Sequence, residues 1–143
     1  MKVTVECIRQ LNNHPAPHLI SVVRHQYVVI SMNGSNVRQR LVEVLELMAS
    51  PEAQLAYQEQ VPIADVPAEL ICMWDETFWI NDPEVRAAFS ADEWVALEKY
   101  DSIFHRVCAL LPPQLPPLLE FQKTQLWLRL SRGAARALSG VGV

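Results

Sequence analysis

The rhythm of apolar residues changes once along this chain, near residue 34. Before that point VTVECI alternates, and HLISVV and QYVVIS are rich in β-branched residues, a pattern that suits short strands better than helices. NNHPAP between them carries turn chemistry. Residues 1–34 therefore read as a two- or three-strand β element, or as an extension ahead of the main domain. After MNGSN the spacing becomes helical: Val37, Leu41, Val44 or Leu45, and Met48 recur at three- and four-residue steps behind a cap at Ser35 or Asn36. That helix should stop near Ser50.

Pro51 suits the first turn of the next helix, PEAQLAYQEQ, with Ser50 as its cap, Glu52 at the positive end of the helix dipole and Leu55 facing inward. VPIADVP interrupts, because each proline removes a donor and restricts the residue before it. Asp65 can cap PAELICMWDETF, in which Leu70, Met73 and Trp74 share a face with Phe78. DPEVRAAF predicts a proline-started turn or two. The strongest local signal is SADEWVALEKYDSIFHRVCALL, where Ser90 and Glu93 form a capping box ahead of Trp94, Leu97, Phe104, Cys108 and Leu111. PPQLPP ends it. PLLEFQKTQLWLRLSRGAARAL then reads as one last helix with Leu119, Leu126 and Leu130 on one side and a basic face on the other. SGVGV, residues 139–143, should fray. The fold class predicted is mainly α: a single helical domain of about five helices over residues 35–138, with a short β element at the N-terminus.

Composition agrees with one globular core, since half of the 143 residues are hydrophobic and a fifth are charged. Cys7, Cys72 and Cys108 are odd in number and embedded in apolar runs, which reads as reduced thiols in a cytoplasmic protein. The start MKVTVECIRQLNN lacks the unbroken apolar stretch of a signal peptide, and no run approaches the ~20 residues that span a bilayer. Charge adds a layout. Between Glu43 and Asp101 stand fourteen acids against Arg86 and Lys99, whereas each flank carries a net +4. Acidic and basic segments can pair across the fold, or the acidic centre can attract a basic partner and repel nucleic acid. The basic last helix and the acidic middle can also pair between two copies, as a homodimer.

The chemistry-bearing motifs are sparse. Gly34, Gly133, Gly140 and Gly142 form no phosphate cradle. His14 and His18 are kept off a common helix face by Pro15 and Pro17, and DETFWIND lacks the alternating oxygens of a calcium loop. No metal, cofactor or catalytic set is predicted.

The segment WDETFWINDPE places Trp74, Phe78 and Trp79 among Asp75, Glu76, Asp82 and Glu84 with no basic residue in between. Tryptophan anchors interfaces and acids speed encounter with a basic surface, so Asp75, Glu76, Trp79, Asp82 and Glu84 are the candidate partner-binding set. The competing structural reading folds Trp79 back over the core as a lid. A rival function is a ligand-binding or hydrolytic domain with an aromatic pocket lined by Trp74, Phe78, Trp94 and His105, where Glu69 or Asp75 would act as acid and base.

Residues 35–110, and QLAYQEQVPIADVPAELICMWDETF within them, resemble small uncharacterised bacterial proteins of mobile (integron) gene cassettes and of toxin and immunity loci. The resemblance implies a cytoplasmic acidic protein that neutralises a basic effector by binding it, and it carries over no catalytic residue. The first thirty-one residues depart from that pattern, so Met32 reads as an alternative natural start.

Overall fold

A computed structural model of the chain describes residues 37–143. The expected N-terminal β element, the Ser35 or Asn36 cap and the question of Met32 lie outside those residues.

The described chain is mainly helical, with seven helices: α1 Val37–Ala49, α2 Pro51–Gln60, α3 Val66–Thr77, α4 Pro83–Ala87, α5 Ala91–Cys108, α6 Leu118–Phe121 and α7 Gln125–Gly140. The expectation of about five is corrected at two places. Asp82 accepts from the Glu84 amide and starts α4 as a helix in its own right. The supposed single last helix breaks after Phe121, where the Thr124 hydroxyl accepts from the Trp127 amide and begins α7 afresh. That restart resets the phase, which is why Leu119 is exposed while Leu130 is buried.

The other caps form as the sequence predicts. Ser50 and Asp65 accept from the Ala53 and Ala68 amides, and the Ser90–Glu93 box closes in both directions, each satisfying amides that a helix start leaves without partners.

The four long helices make the body. α1 packs on α3 and on α7, and α7 packs on α5, while α5 meets α3 through Trp74, Tyr100 and Phe104. The order around the core is thus α3, α1, α7, α5, with α3 and α7 diagonally opposed. They face each other where Leu70 and Ile71 approach Trp127 and Leu130 around a void of about 10 Å³.

Contacts fix the direction of each helix. Arg38 at the start of α1 donates to the Val141 carbonyl beyond the end of α7, and Ser131 donates back to Ala49, so α1 and α7 are antiparallel. Where α7 crosses α5, a Cβ on Gly133 would sit 3.1 Å from the Tyr100 ring and one on Gly140 only 2.4 Å from the Ala96 Cβ. Glycine is what lets these two helices approach.

Two inward positions differ from expectation. In α2 it is Gln54, not Leu55, that is fully buried; Leu55 is half-covered at the core's edge. The amide goes inside because every polar atom of it finds a partner there, as described below. The tail predicted to fray instead continues as helix to Gly140 and buries Val141, held by the Arg38 contact.

Arg38 also ion-pairs with Glu93 and lies over the Phe89 ring at 5.2 Å. The guanidinium first, and then the Ser90 amide, hold the Glu93 carboxyl down at about 2, against an ordinary 4.5. A folded-state value below the unfolded one stabilises above about 4.5, and that contribution is lost as pH falls towards 2. Urea midpoints of the wild type and Glu93→Gln should therefore differ near neutrality and converge as the pH is lowered through that window. A constant offset down to pH 2 would show that the charge plays no part.

Candidate functional site

The segment that drew attention in the sequence lies at the end of α3. Phe78 caps that helix and is buried, stacked on Trp74 with ring centroids 4.8 Å apart and planes 16° from parallel. Phe78 also meets Trp94 at 5.2 Å, and Trp74 meets the edge of Tyr100 at 4.7 Å. The backbone then turns sharply, the Asp82 amide donating to the Trp79 carbonyl at 3.1 Å. This turn lifts Trp79 and Ile80 into solvent, at 60% and 48% exposure.

Trp79 is thus no lid. Its indole N–H donates to the Glu76 carbonyl at 2.7 Å, one of the last carbonyls of α3, which a helix end leaves without an internal partner. The polar edge of the ring is satisfied and its orientation fixed, while its apolar face stays open. Phe78 below, in the aromatic core, anchors the turn.

The candidate partner-binding residues divide in two. Trp79, Glu76 and Glu84 are exposed. Asp82 is half-buried and committed to capping α4, and Asp75 is half-buried with its Oδ2 enclosed and without a hydrogen-bond partner. Ile80 belongs to the tip and escaped the sequence reading, although an apolar pair ahead of Asn-Asp-Pro is the pattern a presented turn would leave.

The bases nearest in sequence do not neutralise this surface. Arg86 donates to the Phe89 carbonyl and lies over the Trp94 ring at 5.1 Å. The pairing of acidic centre with basic flank is represented among the described residues by Arg38 and Glu93. Arg129, Arg132 and Arg136 are exposed on α7 and make no ion pair among the described residues.

The rival pocket residues come together, but as packing. Trp74, Phe78 and Trp94 are buried and fill one another's space. His105 lies outside that stack, its side chain 46% exposed, edge-on to Phe104 and 3.3 Å from Asp101 Oδ2. The other oxygen of Asp101 accepts from the buried Trp74 indole at 3.0 Å. Asp101 therefore ties the aromatic core to the surface of α5. Glu69 is fully buried within α3.

Among the described residues no cluster of three metal-ligating side chains occurs, and no helix is long and apolar enough to cross a membrane. No family model, curated protein or solved structure matches the chain.

Proposed function

We propose that this protein is a non-enzymatic binding module of the immunity or antitoxin type, which occludes a basic partner with the acidic turn between α3 and α4. The observation that supports this reading is Trp79: a large aromatic face held open to solvent, with its only polar atom already hydrogen-bonded. A side chain fixed before binding loses little entropy on binding, and tryptophan in such a setting is the residue type most enriched at interface hot spots. Glu76 and Glu84 beside it carry the charge that would steer a basic surface in, an effect that weakens with salt.

The test is a tagged pull-down from the source cell at low and moderate salt, with captured proteins identified by mass spectrometry. A stoichiometric basic protein is expected. Trp79→Ala should weaken its binding by ~2 kcal/mol, about thirtyfold, while changing unfolding free energy by less than about 0.5 kcal/mol, as for other exposed positions. A variant that binds like wild type, or that unfolds far more easily, would remove the anchor on which the reading rests.

A further inference from the structure

The stripe of arginines on α7 has no ion-pair partner among the described residues. Arg129, Arg132 and Arg136 fall on one solvent-facing line, separated by Ala135 and flanked by Gln125 and Ser139, and α7 contains no acid at all. Along the helix axis the three arginines span about 10 Å at 1.5 Å per residue. α7 packs on α1 and α5 and lies diagonally across the core from α3, and the Trp79 turn follows the end of α3. Among the described residues neither an ion pair nor a ring contact joins the turn to the stripe.

We infer that the arginine stripe of α7 is the docking surface for the Trp79 turn of a second copy of this chain. This rests on the reading of the turn as a docking element, and it names a basic surface for it. The two surfaces match in two independent ways. Glu84 is exposed beside Trp79 and is opposite in charge to the stripe. The open face of Trp79 suits a guanidinium, the pairing this chain already makes internally where Arg86 lies over Trp94 and Arg38 over Phe89. The small Ala135 between the arginines leaves room for a ring to approach. The contact is heterologous, the turn of one copy meeting the stripe of the next, so association continues past two copies unless a reciprocal contact closes it.

Sedimentation equilibrium of the full chain reads this directly. At about 50 mM salt the average mass should rise with protein concentration, and at about 500 mM it should return towards the monomer. Trp79→Ala alone, and Arg129→Glu with Arg132→Glu, should each weaken association at least about tenfold, with circular dichroism showing an unchanged fold. The decisive arm mixes two copies, one carrying Glu84→Arg and the other Arg129→Glu with Arg132→Glu. Each alone should self-associate weakly, and the mixture should restore association through the intact stripe of the first and the intact turn of the second. A monomer at every concentration overturns the proposal, as does association that survives either single variant or a mixture no better than its components. A monomeric protein that still captures a basic partner through Trp79 overturns self-association and leaves the proposed function standing. Loss of both would sink the two together.

Discussion

Gln54→Leu should cost about 3–5 kcal/mol of unfolding free energy, a large share of the ~5–15 kcal/mol that holds a domain of this size. Gln54 is fully buried, and its side-chain amide is saturated. Nε2 donates to the Leu47 and Met48 carbonyls at 3.0 and 3.2 Å, and Oε1 accepts from Trp127 Nε1 and Gln122 Nε2, both at 3.0 Å. One side chain thereby closes the carbonyl end of α1 and binds it to α2, to the start of α7 and to the segment after α6. Leucine keeps most of the volume and none of the partners. The Trp127 N–H is left enclosed, and each buried polar atom stranded in this way costs about 1–3 kcal/mol. Urea denaturation gives the measurement. A double-mutant cycle with Trp127→Phe should show a coupling well above the ~0.5 kcal/mol expected of distant sites. Near-additivity would mean that the Trp127 bond contributes little and that the loss arises elsewhere.

Trp74→Ala should be of similar size, about 3–5 kcal/mol, from the cavity left by a fully buried indole. The ring touches Phe78, Tyr100 and Phe104 and donates to Asp101. Trp74→Phe separates the two contributions, since it keeps an aromatic ring and deletes the hydrogen bond to a carboxylate, for which about 1.5–3 kcal/mol is expected. The site should register the change as well. Phe78 sets the turn that presents Trp79, and Phe78 rests on Trp74, so Trp74→Ala should weaken partner capture at temperatures where the fold is intact. Unchanged capture would mean that the turn is held by its own hydrogen bonds alone.

How much of this could be read from the sequence depends on the range of the interaction concerned. Ser50, Asp65 and the Ser90–Glu93 box declare their helices because a cap acts on amides two or three residues away. The restart at Thr124 is equally local, yet an unbroken apolar pattern runs through it and hides it. Gln54 was invisible for the opposite reason. Its partners are up to 73 residues distant, and a glutamine between Ala53 and Leu55 carries no mark of where its amide ends up. The same holds for Trp74 and Trp79, five residues apart in one acidic run: one is the centre of the core and the other the most exposed tryptophan described. Between them lie only the last residues of α3 and its cap at Phe78.

The placement of α7 has a consequence for synthesis. It is the last helix described and forms one wall of the core, packing on both α1 and α5, with Arg38 reaching its far end across 103 residues. Between the end of α5 at Cys108 and the end of α7 at Gly140, 32 residues are added, which takes about 2–6 s at common elongation rates. During that interval the nascent chain carries Ala96, Tyr100 and Ile103, the α5 residues that Gly133 and Gly140 approach, with that side uncovered. A ribosome stalled just before α7 would hold out this apolar surface for chaperones to bind, and the emergence of α7 would withdraw it.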